Sequence, residues 1–384
     1  MSPIAKEEYT QAIAPYYRGL SRSAKKHFLT RYCRICGYSR KHAIAKLNRP
    51  ASEKPKNKPG KKSFYEQEDI ITALRTIWKA SDYPCSKRLK SIIPEWLPHL
   101  DDNIPSRVKK ALKKISPATI DRILKPHRLG RRRRFFTRTK PGKLLKIHIP
   151  IKTEQWNEFR PGFLESDTVA LCGTTLLGDF INTLDTVDIA SGWTQQRAVF
   201  GKSAHSIVHQ IKDIERSLPF KILGFDSDNG NEFFNKILFK YFTRRPKDKI
   251  VDFTRSRPYR KDDNAHVEQK NWTHVRQWLG YDRFDNPAVV DLLNDLYKNE
   301  WSLYHNFFQP SMKLISKDRV ASKIVKKHDL PKTPYKRLLE SKYIDAETKN
   351  KLKAQYKQLN PFKLKITIEE KLKKIFALRR APGN

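Results

Sequence analysis

The order in which hydrophobic periodicity changes between Gly162 and Gly280 constrains this chain more than any other feature. The run "GFLESDTVALCG" alternates as a strand between glycines. "FINTLDTVDIASGWTQQRAVFG" supplies two more strands, broken at Ser191-Gly192 where a hairpin turn fits. The next segment, "SAHSIVHQIKDIERSL", changes to the helical period, with Ala204, Ile207, Val208, Ile211, Ile214 and Leu218 on one side. Ser203 is placed to cap that helix and Pro219 lies just beyond it. A short buried strand ("FKILGFDSD"), an apolar helix ("NEFFNKILFKYF"), another strand ("KIVDFT") and a helix over 264–279 ending at Gly280 complete the series. Three neighbouring strands ahead of alternating units predict a mixed sheet with helices on its faces, an α/β arrangement.

Three acids stand out on that frame. Asp167 falls in the middle of the first strand, where a carboxylate is costly unless it is paired or bound to a cation. "FDSDNGNEF" places Asp226 and Asp228 at the end of the fourth strand, immediately before Asn229-Gly230. Glu268 lies one turn into the last helix, whose buried side is marked by Val267, Val275 and Leu279. Carboxylates from three separate elements are the donor set of a hard divalent cation, Mg²⁺ or Mn²⁺. Two such ions can activate an attacking oxygen and stabilise the leaving one in phosphodiester chemistry. Period alone does not choose between Asp226 and Asp228, since residues two apart on a strand share a face. Glu165 shares the face of Asp167 and is a weaker ligand candidate. Asp188 reads as support for the Ser191-Gly192 hairpin, and Asp262 and Asp263 as the start of the last helix.

Charge bounds the partners. The chain of 384 residues carries a formal +39, unevenly spread: a net +26 over residues 1–150, +1 over 151–320 and +12 over 321–384. Basic flanks around a neutral, acid-containing centre suit a protein that grips a polyanion and acts on it. No apolar run is long enough to span a membrane and the N-terminus has no signal-peptide stretch, so a cytoplasmic, nucleoid-associated setting is expected. Four cysteines at positions 33, 36, 85 and 172 do not make a disulfide framework, and Cys33 and Cys36 lack the partners that structural zinc needs.

The flanks carry their own patterns. Residues 21–48 read as two helices around Gly37, with Phe28, Tyr32 and Ile35 apolar before it and Ala43, Ile44 and Leu47 after it, and with Ser39 as a cap. A basic second helix makes this a helix-turn-helix pattern with Arg40, Lys41 and Lys46 toward DNA. "RPASEKPKNKPGKKS" is a linker. A second helical unit follows, ending in "ISPATIDRILKPHR", capped by Ser116 with Pro117 in its first turn. Arg122, Lys125 and the run Arg131, Arg132, Arg133, Arg134 are its expected phosphate contacts. In the centre, Arg255, Arg257, Arg260, Lys261 and Lys270 flank Glu268 and are expected near the scissile phosphate, with Arg276 on the same helix a further candidate. The mixed Pro, Lys and aromatic content after residue 306 suits a segment crossing DNA, while the role of 345–380 does not follow from the sequence.

The motifs "LESDTV", "DSDNGNEF" and "RPYRKDDNAHVEQKN", with "FFQPSMKL" beyond them, resemble the catalytic core of DDE transposases and retroviral integrases. The resemblance covers roughly residues 160–340, and the helix-turn-helix arms extend it toward bacterial insertion-sequence transposases. It implies an RNase H-like mixed five-stranded sheet flanked by helices. The second acid of that family directly precedes Asn-Gly, which selects Asp228, with Asp167 and Glu268 as the first and last catalytic and metal-binding residues. It implies two Mg²⁺ or Mn²⁺ ions, double-stranded DNA (transposon ends and target) as partner, a homo-multimer on DNA, and no membrane. The organisation it implies is a helix-turn-helix unit at 1–50, a basic linker at 51–64, a second helical DNA-binding unit at 65–140, the catalytic core at 160–305 and a basic C-terminal region at 306–384. The expected activity is cleavage at transposon ends and strand transfer into target DNA. The alternatives are a catalytically inactive DNA-binding protein derived from a transposase, and an RNase H-type nuclease without transfer.

Overall fold

The computed structural model describes residues 1–48, 64–101, 103–128, 158–227, 236–246, 250–255, 265–320 and 323–380. The chain divides into two compact units, Met1–Ser63 and Phe64–Asn384.

In the first unit, helices α1 (Pro3–Gly19), α2 (Arg22–Cys36) and α3 (Arg40–Leu47) surround a small core. Ser39 caps α3, accepting the His42 amide at 3.4 Å. Gly37 ends α2 with φ 67°, a left-handed turn that glycine enters without a Cβ clash. The two helices around Gly37 lie where the sequence puts them, but the buried stripe differs. Leu29, Tyr32 and Cys36 meet Ala43 and Leu47, whereas Ile35 and Ile44 are exposed. The reason is α1, whose Ala14 and Tyr17 form a third wall and set which side of α2 is covered.

The second unit is built on a five-stranded sheet in the order β3-β2-β1-β4-β5, formed by β1 (Phe163–Ala170), β2 (Ile181–Asp188), β3 (Thr194–Phe200), β4 (Gly224–Ser227) and β5 (Asp252–Arg255). β1–β2 and β2–β3 are antiparallel, while β4 joins β1 and β5 joins β4 in parallel. This is the mixed sheet expected from the order of periodicities. α8 (Ala204–Ser217) and α9 (Lys236–Thr243) cover one face, packing on Leu164, Leu184, Val199, Phe225 and Phe253. Directly opposed residues of a ladder share a face, so Glu165, Asp167, Asp185 and Asp226 all point to the other side. A helix over 265–279 crosses that side. It comprises α10 (Ala265–Lys270), a π-helical turn (Asn271–Arg276) and α11 (Gln277–Leu279).

The flanking helices are not separate bodies. α4 (Glu68–Ala80), α5 (Ser86–Trp96), α6 (Ser106–Lys114) and α7 (Pro117–Leu124) share one apolar core with the sheet and with the helices that follow it, α12 (Val289–Leu296) and α13 (Ser302–Phe308). That core continues into α14 (Pro334–Glu340), α15 (Ala346–Gln358) and α16 (Pro361–Leu378). Trp96, fully buried, lies edge-on to Tyr304, Phe308 and Phe362. The Tyr304 hydroxyl lies 2.6 Å from the Ala80 carbonyl and 2.7 Å from Asp82, with one hydrogen to share between them. The described parts of the helical unit expected over 65–140 and of the basic region expected over 306–384 complete the core of one body. An amphipathic stripe states that a face is buried, not what buries it. β6 (Leu314–Val320) and β7 (Lys323–His328) form a two-stranded ribbon that the sequence reading did not anticipate.

Candidate active site

Each acid on the α10 side of the sheet meets a different partner. Asp167, half-buried in β1, has one oxygen bonded to the Thr168 amide at 2.7 Å. Its other oxygen accepts from Asn271 Nδ2 at 2.6 Å. Asn271 follows Glu268 by three residues on the same helix, so the contact brings the exposed Glu268 to this end of β1. Glu165 is fully buried, and its Oε2 accepts the His266 and Val267 amides at 3.1 and 3.0 Å. Those are amides of the first turn of α10, so Glu165 caps the helix that carries Glu268. Asp226, opposite Glu165 in the ladder, is buried and accepts from Thr254 Oγ1 at 2.9 Å. Asp185, opposite Asp167, is fully buried. Its Oδ1 accepts from Gln196 at 2.7 Å and its Oδ2 has no hydrogen-bond partner.

These carboxyls hold their charge poorly. Burial pushes Glu165 up to about 8, with Asp226 and Glu268 adding repulsion and the two amides opposing it. Burial likewise raises Asp185 to about 7, against the pull of Gln196 and Lys270. Asp167 rises to about 6, through burial and the neighbouring Asp185, against Thr168, Asn271 and Lys202. Acids crowded in this way favour a cation brought from outside. Oxygen donors alone, with a half-buried Asp167 and an exposed Glu268 on facing elements, fit a hard divalent ion rather than a thiolate-seeking one. Among the described residues, no three of His, Cys, Asp and Glu come together as a complete metal-holding group.

The remaining sequence expectations fall out as follows. Asp228, Arg131 to Arg134, Arg257, Arg260 and Lys261 lie outside the described residues, and so does the side chain of Arg255. Asp188 supports its hairpin, accepting the Gly162 and Ser191 amides at 2.7 Å each. Arg40 is exposed but turned back to the Lys26 carbonyl and Thr30, and Lys46 is paired with Glu7, whereas Lys41 is exposed. Arg122 and Lys125 are exposed on and just after α7. Lys270 is 8% exposed, and burial lowers it to about 8 against the attraction of the Asp185 carboxylate. Two residues along a helix turn the side chain by about 200°, so Lys270 points away from the side that shows Glu268. Arg276 likewise donates to the Ala170 carbonyl at 2.7 Å instead of facing solvent. The reading missed Asn271, although its spacing from Glu268 was a usable signal.

The sheet order and the helices on its two faces define a mixed α/β core. No family model matches the chain. It is 34% identical over 344 residues to the uncharacterized protein y4rM of Sinorhizobium fredii, spanning 88% of this chain and 96% of that protein. The chain belongs to the same family as y4rM. Among solved structures, the catalytic core domain of BIV integrase is similar over 47% of this chain and 96% of its own, at 14% identity and a TM-score of 0.31. The HTLV-2 integrase catalytic core domain in complex with magnesium (dimeric form) is similar over 40% of this chain and 91% of its own, at 16% identity and a TM-score of 0.28. No helix among the described residues is long and apolar enough to cross a membrane.

Proposed function

We propose that the protein is a DDE-type polynucleotidyl transferase that cuts DNA at element ends and joins the freed 3′ ends to target DNA. The observation that carries this reading is the Asn271–Asp167 bond, which ties the helix bearing Glu268 to the middle strand of an acid-lined sheet face. Asp167 and Glu268 would hold the divalent ion or ions together with Asp228. Bound there, magnesium or manganese would lower the pKa of an attacking water or hydroxyl and offset charge on the leaving oxygen.

The chain's own residues act around that chemistry. Asn271 fixes the Asp167 carboxylate by one oxygen, and Glu165 fixes the first turn of α10 so that Glu268 is presented at a set height. Lys41, Arg122 and Lys125 supply exposed positive charge for the DNA backbone. Joining two element ends calls for two such sites, hence a multimer assembled on DNA. The test is purified protein with Mg²⁺ and a duplex spanning the DNA that flanks its gene. Nicked strands with 3′-hydroxyl ends, and joined products when target is added, are expected. Intact duplex under all metal conditions contradicts the reading.

A further inference from the structure

Two cations share a cavity beside the acid face where, among the described residues, only Lys270 has a carboxylate, Asp185, attracting it. The cavity, about 80 Å³, lies between α5, the 265–279 helix and α13, and is lined among others by Arg88, Lys270, His274 and His305. The Arg88 guanidinium and the Lys270 ammonium form no ion pair or side-chain hydrogen bond among the described residues, and Arg88 Nε is buried without a partner. His305 is 4% exposed and neither ring nitrogen is bonded. It stacks on His274 at 4.0 Å between ring centroids. Asp82 also borders the cavity, but both its oxygens are engaged, by Lys365 at 2.6 Å and Tyr304 at 2.7 Å.

Half-buried or buried cations facing unsatisfied donors are costly unless something negative joins them. The space is large enough for water or for one small oxyanion, and only the oxyanion offsets the charge. We propose that this cavity is a binding site for a single phosphate group, held by Arg88, Lys270 and His305. The group can come from free inorganic phosphate or from the 5′-phosphate of a DNA end. Since the Asp185 side chain is the carboxylate that attracts Lys270, occupancy would draw Lys270 off the acid face and so connect the cavity to the candidate active site.

The experiment follows the melting temperature and calorimetric binding of full-length protein with sodium phosphate, against sodium chloride at matched ionic strength. One-site binding of phosphate is expected, with a melting rise that chloride does not reproduce and that weakens at least tenfold in affinity in Arg88→Gln and in Lys270→Met. Arg88→Gln removes an unpaired charge and should keep the fold, whereas Lys270→Met also takes the cation from Asp185, so its melting temperature without phosphate is measured first. Equal rises in phosphate and chloride, or unchanged binding in both variants, would overturn the site and leave the space to water. A second arm compares duplexes with 5′-phosphate and 5′-hydroxyl ends. Preference for the phosphorylated end, competed by free phosphate, assigns the source as DNA; equal binding of the two ends, with phosphate binding retained, assigns it as the free ion. Neither arm requires cleavage, so the inference fails or stands separately from the catalytic reading.

Discussion

The Arg197–Asp213 pair on one face of the central sheet and the crowded acids on the other bury charge in opposite ways. On the α8 face, Arg197 is 1% exposed and bonded to Asp213 at 2.7 Å, with Ser217 and the Gln196 carbonyl completing its donors. Lys298 reaches the same Asp213 at 3.0 Å. Burial alone would raise Asp213, but Arg197 and Lys298 pull it well below the usual carboxylate range. On the α10 face, Glu165, Asp167 and Asp185 meet amides and side-chain amides, and all three are raised. The same strands thus carry a pair closed electrostatically from within on one side and crowded acids that favour an outside cation on the other. A closed pair stabilises the fold; crowded acids weaken it, and weakened local stability of this kind concentrates where chemistry is done.

The largest expected break in this contrast is chemical. Asp167→Asn, Asp228→Asn and Glu268→Gln should each reduce strand cleavage to background while leaving DNA binding in a mobility-shift assay nearly intact. Asp226→Asn should keep cutting, because its Thr254 bond and burial make it a support for the sheet; a dead Asp226→Asn beside an active Asp228→Asn would reverse that assignment. On the closed face, Asp213→Ala strands Arg197 in the interior. Urea unfolding should show a loss of about 3–5 kcal/mol, the range found when one partner of a buried pair is removed. Loss of less than about 1 kcal/mol would mean that the face is not closed by this pair.

Much of the contrast was legible beforehand and part was not. Asp167 in mid-strand and Glu268 one turn into a helix were visible because an acid inside an apolar period breaks the pattern. The roles of Asp185 and Glu165 were hidden, since whether a strand acid meets a metal, a cap or a lysine depends on which element crosses above it. The burial of Lys270 was hidden for that reason, although the helical period alone turned it from Glu268. The joint core of α4–α7 with α13–α16 was also invisible. Each segment shows its own apolar stripe, and nothing local names the partner that Trp96 or Ile368 will meet.

A smaller effect tests how the acid face is arranged. Asn271→Ala removes the amide that orients Asp167 and should lower cleavage about 10–100-fold without changing DNA affinity, the usual cost of losing a group that positions a ligand. Asn271→Asp, adding negative charge instead, should not restore it. Smaller still is the pH response, which should differ in sign between Asp213 and the crowded acids. Glu165 and Asp185 have folded values raised to about 8 and about 7, so the native state holds more protons than the unfolded chain. Without divalent ions, their contribution is complete below about pH 4 and fades as pH rises to 8. Asp213 is depressed, so its contribution is present above about pH 4 and fades in acid. Urea midpoints across pH 4–8 should fall with pH in the wild type and fall less steeply in Glu165→Gln, where Asp185 still contributes.

The most direct measurement of the central claim is the melting temperature of the full-length protein against Mn²⁺ and Mg²⁺ from zero to millimolar levels at pH 7.5. An ion that binds the native acid face and not the unfolded chain should raise it in a saturable way, and the rise should vanish in Asp167→Asn/Glu268→Gln while persisting in Asp213→Asn. A wild type indifferent to both ions, or a rise equally large in the acid-face variant, would contradict the account.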